Sequence, residues 1–433
     1  MPDIGSRFLG LKPVPDFVVL DAATGSLTAG ELVDLAQSTP IGLGPKDLVG
    51  LRFACPANLA RALFLLDGLV GGMVLLPASL TDDQVAALAQ RIGITAVIDA
   101  VPGAKPLPAV APRALTRWAL TTSGTTGSPK VVDYTFAVLA RSIRKRRPGR
   151  PPGVWGLMLD PTRFAGSQVL LQSLLGGGRL VSPDFNAQLG ERVSHLVGGG
   201  CTYLTATPSL WRRMLMTPDI GQLPLQRLQL VGEIADQSLL SALTRRFPHA
   251  RIVHVYGSTE AGQGFGVDDG RAGFPLCMLD RLPPDLQMKV VDGILWVRPE
   301  AAPTGEGVLY DAEGYICTAD RVRIEGDRVF FLGRASTAVN VGGTKVQPEE
   351  VEAVLRDHPA VAECRVSARP SALLGALLVA EVVAGPAAPS DLPLALKRFC
   401  RERLPRAAQP ATITLVAAIA TTGAGKLARG PAV

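Results

Sequence analysis

Residues 120–130 read LTTSGTTGSPK. They set Thr121, Thr122, Ser123, Thr125, Thr126 and Ser128 around Gly124 and Gly127, and end in Pro129 and Lys130. Glycines let backbone N–H groups approach an anion closely, hydroxyls add donors, and a lysine adds a mobile positive charge. Together these suit a triphosphate. The stretch is not a G-x-x-x-x-G-K-[ST] loop, because Val131 follows Lys130. A solvated Ser/Thr/Gly turn is the plain alternative, and the apolar run at 118–120 directly before the loop weighs against it. A second cluster, Tyr256-Gly257-Ser258-Thr259-Glu260, follows an apolar run at 252–255. Tyr256 offers a flat face to a purine, and Gly257 permits close approach. Thr259 can hydrogen-bond a phosphate, and Glu260 can hold Mg²⁺, which takes carboxylate plus phosphate oxygens. The plain alternative is a strand-to-helix turn with a surface glutamate.

These two segments resemble the phosphate loop and the YGxTE segment of the adenylate-forming superfamily, which holds acyl- and aryl-CoA synthetases, peptide-synthetase adenylation domains and luciferases. Other segments resemble the same family in the right order along residues 28–429. Gly232-Glu233 is similar to the family's G-G-E, with Val231 in place of the first glycine. Asp320 in YICTAD stands where the family has Y-x-T-G-D, with Ala319 replacing the glycine. Gly333-Arg334 opens a G-R hinge in which Ser336 replaces the charged hinge residue. Residues 339–352, VNVGGTKVQPEEVE, resemble the loop that enters the site for thioester formation. Residues 421–429, TTGAGKLAR, resemble P-K-T-x-S-G-K-x-x-R without its proline and first lysine.

The resemblance implies roles. Thr122, Ser123, Gly124, Thr125, Thr126, Gly127 and Lys130 would grip the β- and γ-phosphates of ATP. Gly232, Glu233, Tyr256, Gly257 and Ser258 would line the AMP site, with Asp320 on the ribose hydroxyls and Arg334 on ribose or phosphate. Thr259 and Glu260 would act at the phosphates, Glu260 through Mg²⁺. Lys426 would bridge the carboxylate and the α-phosphate. Arg163, Phe164 and Gly166 fall at the mouth of the acyl pocket, where Arg163 either neutralises a carboxylate or points at solvent. Gly342, Gly343 and Lys345 would line a pantetheine tunnel. The implied reaction has two halves: a carboxylic acid plus MgATP gives acyl-adenylate and pyrophosphate, then a thiol captures the acyl group. Rotation about Ser336 would exchange Lys426 for the Gly342–Gly343 loop. The 339–352 loop is most similar to that of acyl-CoA synthetases, which makes coenzyme A the expected acceptor. A phosphopantetheinyl carrier protein is the alternative. The departures at Ala319, Ser336 and Asn340 also admit a binding-only nucleotide relative, and Lys130, Glu260, Asp320, Arg334 and Lys426 argue against it.

The elements that must position these residues alternate between strands and helices, which implies a covered parallel sheet. Thr28 with Glu31 reads as a capping box, and Thr81 as a second cap. Strands are expected at 49–54, 73–77 and 94–99, with a helix over 58–69. A helix from about Phe136 is expected to run into the basic residues 141–150. These read as a solvated helix end or as a landing site for an acidic partner. Strands at 154–160, 179–182, 228–232 and 252–255 continue the βαβ pattern, with a helix over 167–175. Past Gly273, short strands separated by Gly, Pro and Asp suit a small β-barrel-like subdomain, and helices at 349–355 and 392–404 frame a small α+β piece. The expected fold is α/β: an AMP-binding domain over residues 1–333 and a mobile C-terminal domain over 334–433.

The chain has 433 residues, enough for two cores. Its net charge of +6 suits an anionic ligand but not nucleic acid. The six cysteines form no C-x-x-C, which accords with free thiols in a cytoplasmic protein. The longest apolar run, residues 63–77, is interrupted by Asp67 and glycines and is too short to span a membrane.

Overall fold

Two capping boxes open early helices, one at Thr28 as the sequence predicts and one at Thr81, where the sequence predicts a cap. The Glu31 N–H donates to Thr28 Oγ1 at 3.3 Å and the Thr28 N–H to Glu31 Oε2 at 2.8 Å, starting the helix Ala29–Ala36. Thr81 and Gln84 repeat the arrangement ahead of Asp82–Ile92. The computed structural model describes residues 3–106, 115–122, 129–144, 151–259, 262–280, 286–300, 304–305, 308, 310–371, 374–386, 388–422 and 426–427.

A six-stranded sheet runs in the order Thr304–Gly305, Lys130–Thr135, Arg117–Thr122, Gly72–Leu75, Leu48–Leu51, Ala96–Ile98. Its last four strands are parallel, and Lys130–Thr135 is antiparallel to Arg117–Thr122. Asp67, inside the apolar run, is buried but accepts from the Ile4 N–H at 2.7 Å and from Trp118 Nε1 at 2.8 Å. Both carboxylate oxygens are therefore satisfied, as a buried charge requires.

The larger sheet has eight strands, in the order Gly262–Val267, Arg251–Ser258, Arg227–Val231, Tyr203–Ala206, Val154–Leu157, Arg179–Ser182, Val18–Ala22, Gly25–Thr28. It is parallel except for its two edge strands, which lie antiparallel to their neighbours. The helix Phe164–Gly176 begins three residues earlier than the pattern predicts. The helix expected from Phe136 into the basic run is a correction: it ends at Leu139, after four residues. Residues 145–150 of that run lie outside the described residues.

Residues 274–334 supply a five-stranded antiparallel sheet with its own core around Phe274, Leu295 and Ile316. From Val339 onward another core forms around Val351, Leu355, Val382 and Leu396, between the strands Val361–Ser371 and Gly375–Ala384 and the helices Pro348–Arg356 and Leu392–Arg403. Cys201 and Cys364 are buried, and burial pushes each thiol up to about 12. Among the described residues, no helix is long and apolar enough to cross a membrane.

Candidate active site

The parallel strands of the larger sheet all end at one edge, where ligands of open α/β sheets collect. Gly232 follows the strand Arg227–Val231, and Thr259 follows Arg251–Ser258. Both face a cleft of about 2770 Å³. The hairpin of the strands Arg117–Thr122 and Lys130–Thr135 closes one side. Thr122 pairs with Lys130 across its two strands, so both ends of the loop are held in register. Ser123, Gly124, Thr125, Thr126 and Gly127 lie outside the described residues, as does Glu260. The Tyr134 hydroxyl donates to the carbonyl of Thr259, tying this hairpin to the Tyr256–Thr259 segment.

Arg163 does not point at solvent. Its Nη1 donates to the Thr121 carbonyl at 2.8 Å, which joins the start of the helix Phe164–Gly176 to the phosphate-loop strand. Burial lowers its pKa and Asp160 opposes that. Phe164 stacks on Tyr134 with centroids 5.7 Å apart. Gly166 packs against the backbone of Asp160, where a Cβ would come within 2.0 Å of the carbonyl oxygen.

Tyr256, Asp320 and Arg334 arrive from three strands and meet. The Tyr256 hydroxyl donates to Asp320 Oδ2 at 2.7 Å, and Arg334 Nε lies 3.3 Å from Asp320 Oδ1. The Tyr256 ring stacks on Phe331 at 5.0 Å and on Phe265 at 5.4 Å. Burial, then the Asp320 charge, raises its phenol pKa well above the ordinary value. Ala319 adopts φ +57°, in the left-handed region that the glycine it replaces would occupy without strain.

The far end of the chain enters the same cleft. Lys426 lies over Gly232, so that a Cβ there would sit 2.9 Å from Lys426 Cε and 3.4 Å from its Nζ. Gly232 has φ +79°. The next residue secures the arrangement. Glu233 Oε1 accepts from the Leu427 N–H at 2.8 Å, and Oε2 accepts from the Ser209 N–H at 2.9 Å. Glu233 lines the cleft, and its side chain also grips the Lys426 segment, a contact the sequence does not show. Arg213 Nη1 adds a 3.2 Å hydrogen bond to Thr421 Oγ1.

A buried ion cluster joins the same two parts of the chain. Asp236 pairs with Arg212 and lies 3.9 Å from Arg356, which also reaches Glu352 at 3.3 Å and Glu363 at 3.2 Å. Burial pushes the Asp236 pKa up, but Arg212 and Arg356 outweigh it and hold the group below its ordinary value. None of these residues stands out in the sequence. Asp236 also caps a helix, accepting from the Leu239 N–H at 3.0 Å.

The cleft thus collects Thr122, Lys130, Arg163, Phe164, Gly166, Gly232, Glu233, Tyr256, Gly257, Ser258, Thr259, Asp320, Arg334, Ser336 and Lys426. Gly342, Gly343 and Lys345 do not line it. They form the hairpin between Val339–Val341 and Thr344–Val346, with φ +57° and +88° at the two glycines. Positive φ at both central positions explains this glycine pair. Gly343 has open space around it.

Comparison with known proteins accords with this geometry. The family model described as AMP-binding enzyme matches residues 73–314, and that of the AMP-binding enzyme C-terminal domain matches 350–426. A probable 2-succinylbenzoate–CoA ligase of Mycobacterium tuberculosis is 29% identical over 332 residues, covering 72% of this chain and 82% of the relative. A p-hydroxybenzoic acid–AMP ligase of the same organism is 30% identical over 347 residues, covering 72% of this chain and 48% of the relative. Among solved structures, an anthranilate CoA ligase bound to anthranoyl-AMP superposes with TM-score 0.79 at 16% identity, covering 98% of this chain and 95% of that one. A benzoate CoA ligase from Burkholderia xenovorans gives 0.77 at 20% identity, covering 99% of both chains. These likenesses establish the fold. With the ordered motifs and the family models, they show that the chain belongs to the AMP-binding enzyme family, the adenylate-forming superfamily of acyl-CoA synthetase-like enzymes.

Proposed function

We propose that this protein is an AMP-forming acid–thiol ligase. It activates a carboxylic acid with ATP and passes the acyl group to coenzyme A. The observation that carries this reading is the station of Lys426 over Gly232, held there by Glu233. A carboxylate oxygen of the acid attacks the α-phosphorus of ATP, the bond to the β-phosphate oxygen breaks, and pyrophosphate leaves. The Lys426 ammonium neutralises charge on the attacking and phosphoryl oxygens, a preorganised cation of the kind that lowers such barriers. Lys130 and the loop at 123–128 hold the leaving phosphates. Asp320 accepts from the ribose hydroxyls, with Arg334 beside it. Thr259 and Glu260 meet the phosphates. A Mg²⁺ held by Glu260 and the phosphate oxygens supplies charge neutralisation when bound. A carboxylate beside phosphate oxygens is a donor set that suits the ion.

In the second half-reaction a thiolate attacks the acyl carbon, the acyl–phosphate bond breaks, and AMP leaves. The residues at 334–433 act as a mobile unit that turns about Ser336 and exchanges Lys426 for the Gly342–Gly343 hairpin, with Lys345 beside it. The relatives that include an aryl acid–AMP ligase support a second reading, in which the thiol belongs to a carrier protein. The work of such an enzyme is cytoplasmic.

ATP–pyrophosphate exchange over aliphatic, aryl and amino acids tests the first half, and product analysis with and without CoA tests the second. Exchange with no acid overturns the reading. Exchange without CoA capture favours the carrier protein. Lys426→Ala is expected to slow adenylation about 10²–10³-fold and to leave thioester formation from supplied acyl-adenylate largely intact. Equal loss of both removes the role given to Lys426.

A further inference from the structure

The parallel register of the larger sheet stacks a second cluster of residues beneath the activation site. Trp155, Tyr203, Arg227 and Arg251 pair across four neighbouring strands in one row. Two residues further along each strand, Leu157, Thr205, Gln229 and Val253 make the next row on the same face, because side chains alternate with period two. Leu228 and Leu230 point the other way, into the core. The helix Phe164–Gly176 supplies Phe164, Gln168 and Gln172 to the cleft at one-turn spacing. The wall therefore changes with depth. Near Gly232 it carries Val231 and Phe164; below that come Gln229, bonded to Thr205 at 3.0 Å, and Gln168; at the floor stand Arg227 and Gln172.

Arg227 is the anomaly. Its Nε is buried without a hydrogen-bond partner. Among the described residues, no carboxylate or carbonyl receives its guanidinium. Arg179 and Arg192 also bury an Nε without a partner, but each guanidinium donates elsewhere, Arg179 to the Gly199 carbonyl at 2.7 Å and Arg192 to that of Met158 at 3.2 Å. Two more cations face Arg227. Arg251 is paired with Asp268 at 2.5 Å. The backbone of Arg144 is pinned by Gln172, whose Oε1 accepts from its N–H at 3.0 Å and whose Nε2 donates to its carbonyl at 2.9 Å. Burial, then the charges of Arg251 and Arg144, lower the Arg227 pKa and outweigh the opposing charges of Tyr203 and Asp268. Arg144 and Arg251 are exposed, but Arg227 is part-buried, and holding it there beside two other cations is unfavourable unless an anion joins them.

We infer that the floor of the acyl pocket is an anion seat, and that the preferred substrate is an acid carrying a second carboxylate, which Arg227 holds with help from Arg144. This rests on the acid-ligase reading above and names the class of acid. Five residues of strand separate Gly232 from Arg227, about 16 Å, and the arginine side chain reaches back along part of that length. The second carboxylate then stands roughly 10 Å from the one that is activated. Arg227 binds and orients; it does not touch the reacting atoms.

The test is ATP–pyrophosphate exchange with the full-length protein. The probes are α,ω-dicarboxylic acids of six to twelve carbons and aryl dicarboxylic acids, each beside its half-amide and the monoacid of equal length. At least one diacid is expected to exceed its half-amide by tenfold or more in kcat/KM, on the order of one charge-assisted pair. Arg227→Gln should collapse that ratio toward one, mainly through KM for the diacid, and Arg227→Lys should restore part of it. Melting curves of both variants check that they fold. A wild-type ratio near one, or a ratio unmoved by Arg227→Gln, overturns the inference. If monoacids exchange without preference for diacids, only this inference falls. If no acid exchanges, the ligase reading falls and takes this one with it.

Discussion

Glu233 and Leu427 are 194 residues apart in sequence and joined by a 2.8 Å hydrogen bond, from the Leu427 N–H to Glu233 Oε1. The other carboxylate oxygen is held by the Ser209 N–H at the start of the helix Pro208–Leu215. One side chain thus fixes the segment that carries Lys426 to the edge of the cleft. A hydrogen bond to a charged group contributes about 1.5–3 kcal/mol. Glu233→Ala should therefore slow acyl-adenylate formation by about 10–100-fold. Glu233→Gln, which keeps one acceptor, should be milder. In the proposed mechanism thioester formation from supplied acyl-adenylate does not use Lys426, so it should change little. Parallel assays of the two half-reactions check this, and equal losses would leave Glu233 as a general structural residue.

Asp236 makes the same junction sensitive to acid. Its folded pKa lies below the ordinary aspartate value of 3.8, because Arg212 and Arg356 outweigh burial. A depressed carboxylate contributes stability above its unfolded pKa and loses it as pH falls through the folded value. Wild type should thus lose stability below about pH 3.8 more steeply than Asp236→Asn, which still caps the helix Gln237–Arg246. Unfolding midpoints between pH 6 and about pH 2 measure the difference. Parallel curves would show that the ion cluster contributes nothing to the acid response.

Arg356 holds Glu352 and Glu363, whose side chains are 1% and 4% exposed. Arg356→Ala leaves two buried carboxylates without their cation, and such a loss costs about 3–5 kcal/mol. Urea unfolding should show it as a lower midpoint. Double replacement of both glutamates by glutamine in the Arg356→Ala background should recover part of the loss, since the stranded charges are then gone.

Ala319 sits at φ +57° beside Asp320. The left-handed conformation costs an alanine about 1–2 kcal/mol, and glycine's extra chain entropy offsets part of the relief. Ala319→Gly should raise unfolding stability by about 0.5–1 kcal/mol. A decrease would show that the alanine methyl group packs well enough to outweigh its backbone strain.

Much of the site is legible in the chain itself, because its parts are local. A Ser/Thr/Gly loop held between two strands, Tyr256 at the end of an apolar run, and the Gly342–Gly343 pair at a hairpin each need only neighbouring residues to declare themselves. The capping residues Thr28 and Thr81 do so too, since a cap acts within three residues. Arg163 is half-legible: its place at the pocket mouth follows from its neighbours, but its bond to the Thr121 carbonyl depends on a strand 42 residues earlier. The extent of the helix after Phe136 is not legible, because basic residues suit a helix end and nothing local marks the stop at Leu139.

Sequence by itself therefore determined which groups this protein has to offer in the proposed reaction. Tertiary structure decided which of them meet. Glu233 grips the Lys426 segment only because two distant parts of the chain dock. Arg227 faces the pocket only because the strand register puts Leu228 and Leu230 in the core and leaves the alternate positions to the cleft. Asp236 serves a second part of the chain only because Arg356 is buried against it. Local periodicity records the two faces of a strand. It does not record which strand lies alongside or which helix packs above, and those long-range choices are set by core packing.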